Sequence, residues 1–172
     1  MKVVLESLQH GPRYLSGTIA PYPVPEGADR ARLDGLIAFA VHVRLDDDRV
    51  TVYGWLHSVV TAPCSRCLQD ARLHVDREME ASFLKALEDA EEGEAELDEG
   101  DLDTDYYSGD SIDLRAVLTE QVLLDLPMKI LCSDDCKGLC SQCGADLNGD
   151  DCGCEPPVDP RLSPLAGLRD RL

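Results

Sequence analysis

Eight cysteines carry most of the chemistry this chain offers, and they come in close pairs. Six lie in Leu131–Glu155, at Cys132, Cys136, Cys140, Cys143, Cys152 and Cys154; the other two form Cys64-Ser65-Arg66-Cys67. Cys140-Ser141-Gln142-Cys143-Gly144 has the form of a metal knuckle. Two thiolates spaced C-x-x-C reach one tetrahedral ion when the backbone between them turns tightly, and Gly144 gives the freedom needed just past the second ligand. Cys152-Gly153-Cys154 is a second tight pair, and Cys132 and Cys136 are spaced C-x-x-x-C. Eight thiolates fill two four-thiolate sites. The partition using every pair places Cys64, Cys67, Cys132 and Cys136 on one ion, and Cys140, Cys143, Cys152 and Cys154 on the other. Cys136 and Cys140 could exchange roles, and one or two ions satisfy the pattern. The second set is local. The first closes a loop of about sixty residues, at an entropic cost that grows only slowly with length.

Other uses of the thiols fit less well. Disulfides need an oxidising compartment, and Met1-Lys2-Val3-Val4-Leu5-Glu6 is not an export signal, because its apolar run stops at Leu5. A redox C-x-x-C opens a helix beside a parallel strand, whereas Cys64 lies between two strand-like runs. Inert cysteines would not cluster. A structural Zn2+ role is therefore expected, with all thiolates engaged and no coordination position open for a catalytic water. The histidines His10, His42, His57 and His74 are scattered. His57 and His74 flank the first knuckle as possible outer groups, but read more simply as solvated strand residues. No Ser-His-Asp set, phosphate-binding glycine loop or G-x-G-x-x-G is present. The expectation is a non-enzyme without a small-molecule substrate.

Charge narrows the partners. The chain has 172 residues and a formal net charge of −18, from 34 acids against 16 bases. Residues 88–110 hold twelve acids and no base. Such a surface repels nucleic acid and attracts basic proteins, so direct contact with naked RNA is not expected. The longest strong apolar run, Leu36–Val41, is too short to span a bilayer, and a cytoplasmic, membrane-free location is expected.

The elements that position the cysteines follow from periodicity. Residues 2–9 read as a short first strand, and Tyr14–Ile19 as an extended piece within a Gly/Pro-rich connection. Ile37, Phe39, Val41, Val43 and Leu45 alternate with polar residues; Asp46-Asp47-Asp48 turns; Val50–Thr61 is β-branched and aromatic. After the Cys64–Cys67 knuckle, Ala71, Leu73, Val75, Met79, Ala81 and Phe83 alternate with Arg72, His74, Asp76, Glu78 and Glu80. This predicts an antiparallel meander with one buried face. Asp110-Ser111 reads as a helix start, with Leu114, Val117, Leu118, Gln121 and Val122 at helical spacing and Pro127 as the stop. The fold class is α+β: an antiparallel sheet covered by one main helix, with cysteine-rich zinc knuckles. Residues 1–85 form the sheet portion with the first cysteine pair, 86–110 an acidic flexible loop, and 111–172 the helix, zinc segment and amphipathic tail, in one domain with 1–85.

Several of these motifs together resemble a known family. Cys64-x-Arg66-Cys67-Leu68 after a strand, an acidic stretch, then Ile112-Asp113-Leu114 and Glu120-Gln121-Val122-Leu123-Leu124-Asp125-Leu126-Pro127 are similar to the YceD family of bacterial and plastid proteins. Cys136-Lys137-Gly138-Leu139-Cys140-x-x-Cys143-Gly144-x-x-Leu147-Asn148, Cys152-x-Cys154 and Asp159-Pro160-Arg161-Leu162-x-Pro164-Leu165 extend the resemblance, which covers about residues 36–172. It implies a role in accumulation of large-subunit (23S) ribosomal RNA, hence in ribosome assembly, with no enzymatic activity. Taken with the acidic charge, this makes a large-subunit assembly intermediate or a basic ribosomal protein the expected partner. A zinc carrier and a thiol-based redox or zinc-responsive switch are the alternatives.

Overall fold

The computed structural model describes residues 1–23, 31–86, 104–149, 151–154 and 161. The expected acidic run up to residue 103 and the tail beyond Arg161 lie outside the described residues. The chain divides into two compact units: Met1–Ala62 with Arg72–Met128, and Pro63–Ala71 with Lys129–Leu172.

The first unit is α+β. Its strands are β1 (Lys2–Val4), β2 (Arg13–Ile19), β3 (Ile37–Asp46), β4 (Arg49–Pro63), β5 (Asp70–Lys85), β6 (Thr104–Tyr107) and β7 (Ser111–Asp113), and its helix is α1 (Leu114–Leu124). The tips of β4 and β5, Pro63 and Asp70–Ala71, belong to the second unit. The main sheet has the order β2-β3-β4-β5-β6, and β1 pairs with β7 in a small sheet of its own. β2, β3 and β4 pair antiparallel, with Leu15 opposite Val41 and Val43 opposite Val52.

The alternation read from the sequence is the core. Ile37, Val41, Val43, Val50, Val52 and Val60 are fully buried, with Leu56, Val75 and Met79 beside them. With two phenylalanines and one tryptophan in the chain, that core is aliphatic. At the β3–β4 turn Asp47 takes a left-handed φ of 51°, which aspartate tolerates better than most residues. Gly54 opposes Val41 at φ +148°; a Cβ there would stand 2.7 Å from the Val41 Cα and press on the Ala40 carbonyl oxygen. Only glycine lets the two strands approach at that point.

Three expectations need correction. The first strand stops at Val4, and Leu5–Leu8 form a 3-10 turn that drops Leu8 into the core. The stretch expected as an acidic loop over 86–110 contains a strand, Thr104–Tyr107, which pairs parallel with Ser82–Lys85 and adds a parallel edge to the expected sheet; two tyrosines and a threonine are strand-formers despite their acidic setting. The helix begins at Leu114 rather than at Asp110-Ser111, because Ser111–Asp113 are engaged by β1. Asp113 is the N-cap, its carboxylate accepting the Arg115 N–H at 3.1 Å. The helix buries Leu114, Val117, Leu118, Thr119 and Val122, and Leu124 is exposed. An ion pair of 2.8 Å joins Arg77 of β5 to Asp125 at its C-terminal end. At its start Arg115 donates to the Ala20 and Pro21 carbonyls at 2.7 and 2.8 Å and stacks on Tyr22, so the proline-rich connection is anchored there.

Candidate metal centres

All eight cysteines are in the second unit. Its local structure is set by two knuckles with the same backbone pattern. The Cys64 N–H donates to the Gln69 carbonyl at 2.8 Å and the Leu68 N–H to the Cys64 carbonyl at 2.9 Å. Likewise the Cys140 N–H donates to Ala145 at 2.8 Å and the Gly144 N–H to Cys140 at 2.9 Å. In each, the residue after the second cysteine has a left-handed φ: Leu68 at 62° and Gly144 at 74°. In each, the N–H two residues after the first cysteine points at its sulfur, from Arg66 at 3.4 Å and from Gln142 at 3.5 Å. The second knuckle spends a glycine on the turn; the first holds an exposed leucine in a conformation that costs an L-residue about 1–2 kcal/mol.

The remaining cysteines are brought to these knuckles by backbone contacts. The Ser65 N–H donates to the Ile130 carbonyl at 2.7 Å, the Leu139 N–H to the Arg66 carbonyl at 3.2 Å, and the Arg66 guanidinium to the Cys136 carbonyl at 2.6 Å. Gly138, at φ +81°, passes so close that a Cβ would lie 3.1 Å from the Arg66 carbonyl oxygen. The structure thus brings Cys64, Cys67, Cys132 and Cys136 into one set, and Cys140, Cys143, Cys152 and Cys154 into another, with the sulfurs of each set within 4.8 Å of one another. The Cys64–Cys136 and Cys67–Cys132 sulfurs are 3.7 and 3.6 Å apart. Thiolates on a tetrahedral ion with metal–sulfur bonds of about 2.3 Å are about 3.8 Å apart. Either set could hold a thiophilic metal ion.

The two sets differ in shielding. Cys64, Cys67 and Cys136 are buried, with Leu131 and Leu139 packed against them; Cys132 is exposed. In the second set Cys143 and Cys154 are exposed and Cys140 and Cys152 half-buried. In each set one thiol is poised to ionise. The backbone N–H of Cys67, then that of Arg66, hold Cys64 down at about 6 against the penalty of burial. The N–H groups of Cys143 and Gln142 lower Cys140 to about 6. The last proton is hard to remove. At Cys67 the Gln69 N–H favours the thiolate, but burial and the neighbouring sulfurs of Cys132, Cys64 and Cys136 outweigh it and push the thiol up to about 12. Crowding by Cys143 and Cys152 does the same to Cys154, to about 12. Four thiolates at such spacing repel one another until a cation sits among them.

Two polar residues outside the expected set support the centres. Asn148 accepts the Lys137 N–H at 2.8 Å and directs its amide at the Cys136 sulfur at 3.5 Å. Asp146 receives that amide at 2.7 Å and the Gln69 amide at 2.7 Å, tying the first knuckle to the loop after the second. Such outer hydrogen bonds orient metal ligands. The family-like Leu147-Asn148 motif was the sequence signal for Asn148; Asp146 had none. His57 and His74 are exposed strand residues of the first unit, with ring centroids 6.3 Å apart.

With this geometry in place, the comparisons decide the family. The family model described as "Large ribosomal RNA subunit accumulation protein YceD" matches residues 52–169. The chain belongs to the YceD family. That span takes in most of β4, β5, the helix and all eight cysteines. Among YceD relatives, a "Large ribosomal RNA subunit accumulation protein YCED homolog 1, chloroplastic" of Zea mays is 29% identical over 155 residues, covering 77% of this chain and 53% of the relative. A protein of Mycobacterium tuberculosis described as uncharacterized is 29% identical over 133 residues, covering 77% of this chain and 62% of its own length. The Arabidopsis thaliana chloroplastic YCED homolog 1 is 34% identical over 62 residues, 36% of this chain and 19% of that protein. The chain spans little more than half the length of the first of these relatives. No solved structure matches it. The YceD family is named for an effect on ribosomal RNA and not for an enzymatic activity. Among the described residues, no helix is long and apolar enough to cross a membrane.

Proposed function

We propose that this protein is a non-catalytic factor in large-subunit ribosome assembly, required for accumulation of the large (23S) ribosomal RNA and stabilised by two structural zinc ions. The family match over residues 52–169 carries the pathway. The two four-thiolate sets support zinc, the usual tetrahedral metal of all-sulfur sites. In that reading Cys64, Cys67, Cys132 and Cys136 hold one ion and Cys140, Cys143, Cys152 and Cys154 the other. Bound zinc neutralises the crowded thiolates and fixes the loops; with four protein ligands each, neither ion activates water. The net charge of −18 favours action through basic proteins of the assembling subunit rather than through naked RNA.

Depletion of the protein tests the pathway. Large-subunit RNA is expected to fall relative to small-subunit RNA and to recover with the wild-type chain, but not with Cys67→Ser; an unchanged ratio would reject the reading. One observation favours a second reading for the second cysteine set. The second set is markedly more exposed than the first, as a zinc carrier's site would be. Exchange with a competing chelator at the second set alone, on the timescale of zinc delivery to another protein, would support a carrier.

A further inference from the structure

The main sheet has a second face, opposite the core, and it is unusually aromatic. Register places Tyr14 of β2 beside His42 of β3, and His42 beside Tyr53 of β4. Tyr14 and His42 have ring centroids 5.0 Å apart, and His42 stacks on Tyr53 at 5.3 Å with 14° between the planes. Two residues further along β4 is Trp55, the chain's one tryptophan, 54% exposed. Its partner on β3 is the small residue Ala40. Gly17, Ala38 and Ala40 leave a trough of about 260 Å³ beside the indole, which His57 and Asp76 also line. A second notch, of about 300 Å³, is lined by Arg44, Thr51, Tyr53 and Glu80. Each hollow therefore offers one exposed aromatic ring and one carboxylate. A soluble protein seldom leaves an indole next to an open trough without a use for it.

The charges say what fits. Asp76 has His57 Nδ1 at 3.7 Å as its nearest ion-pair neighbour, beyond hydrogen-bonding distance. The Glu80 carboxylate has no hydrogen-bond or ion-pair partner among the described residues. Arg44, the cation in the second notch, is already paired with Asp46. Arg72 and His74 share the face but lie towards one end of β5, with Asp76, Glu78 and Glu80 following. A guanidinium is the group that satisfies both halves of each hollow: its flat face stacks on the ring and its N–H edge meets the carboxylate. Nucleobases would stack on the same rings, but their phosphates would then run along a row of acids on a chain of net charge −18.

We propose that the outer face of the five-stranded sheet is a docking surface for an arginine-rich segment of a basic protein, with arginines seated in the Trp55–Asp76 and Tyr53–Glu80 hollows. This rests on the reading that the protein acts through basic protein partners, and gives that reading a surface. The segment crosses β3 and β4 over the small side chains of Ala38 and Ala40, and its charge is met by β5.

Trp55 reports on its own site. The metal-replete full chain is titrated at physiological salt with an Arg-Gly repeat peptide, a Lys-Gly repeat peptide and a single-stranded oligouridine, reading Trp55 emission. Anisotropy of labelled ligands is the readout for the variants. The arginine peptide is expected to shift Trp55 emission saturably and to bind more tightly than the lysine peptide. Trp55→Ala should weaken it about tenfold, Trp55→Phe should restore part of the loss, and the Asp76→Asn/Glu80→Gln double variant should weaken it comparably. These side chains are exposed, so the thermal midpoint should hold in every variant. Peptide binding indifferent to the variants, or oligouridine outcompeting the arginine peptide at Trp55, would overturn the proposal. Repeating the variants against isolated basic large-subunit proteins separates the two levels of inference. Equal capture by wild type and variants removes this surface but leaves the protein-contact reading. No capture by the wild type removes that reading itself.

Discussion

Removing the metal should unfold one unit and spare the other. In the second unit the buried hydrophobic residues among those described are Cys64, Cys67, Ala71, Ile130 and Cys136, three of them proposed ligands. One isoleucine, one alanine and three thiols contribute on the order of 5 kcal/mol by burial. A structural four-ligand zinc site contributes about 10–16 kcal/mol, so the metal term is the larger one. The first unit has its own aliphatic core, including Ile37, Val41, Val43, Val50, Val52 and Leu118, all fully buried. The perturbation is a strong zinc chelator at neutral pH under reducing conditions. The assay is amide hydrogen exchange by mass spectrometry, comparing peptides from 63–71 and 129–154 with peptides from 37–62, 72–85 and 114–124. Protection in the first group should collapse to that of an open chain, while the second group keeps its slow exchange. Protection unchanged in both groups after verified metal removal would refute the reasoning, because the thiols would then pack adequately alone. Simultaneous collapse of both groups would refute the independence of the first core.

Gly54→Ala should destabilise the first unit by about 2–4 kcal/mol, since the new Cβ would meet the Val41 Cα at 2.7 Å at a φ that L-residues avoid; a urea titration followed by hydrogen exchange of the same strand peptides measures it. At Asp113 burial opposes ionisation, but hydrogen bonds from the Tyr22 hydroxyl, the Met1 ammonium and the Arg115 N–H outweigh it and hold the carboxyl below its ordinary value. Its stabilisation is therefore complete above about pH 4 and lost as pH falls through the lower folded value. Asp113→Ala should cost about 1 kcal/mol at pH 7 and flatten the acid limb of the stability curve, as thermal melts between pH 2 and 7 would show; a loss that persists undiminished at the acid end would contradict this assignment.

The parts of this structure legible in the sequence are those with a strong local period or a strong chemical pattern. The odd-numbered apolar residues from Ile37 to Val43 mark the buried face of their strand, because a strand's side-chain period is two; in Val50–Thr61 apolar residues at both parities, Tyr53 and Trp55 among them, left the face to the structure. The close spacing of the cysteine pairs likewise pointed to the two sets that the structure brings together. What was not legible depended on tertiary pairing. Asp110-Ser111 read as a helix start, but β1 engages Ser111–Asp113, and the cap falls at Asp113. Thr104–Tyr107 was hidden by its acidic neighbours, although its own residues favour a strand. Leu68 in a left-handed turn had no signature, since glycine is what such a turn announces. The aromatic row from Tyr14 to Tyr53 exists only through register: nothing local tells that residues 14, 42 and 53 are neighbours.

The central claim is a protein whose second unit is organised by two four-thiolate zinc sites. Native mass spectrometry with elemental analysis, on protein purified under reducing conditions without added metal, tests it most directly. Two zinc ions per wild-type chain are expected, with one in Cys67→Ser/Cys136→Ser and one in Cys140→Ser/Cys143→Ser, and with the remaining site still slow to react with thiol reagents in each. A metal-free wild-type chain with eight reduced, freely reacting thiols would contradict the account.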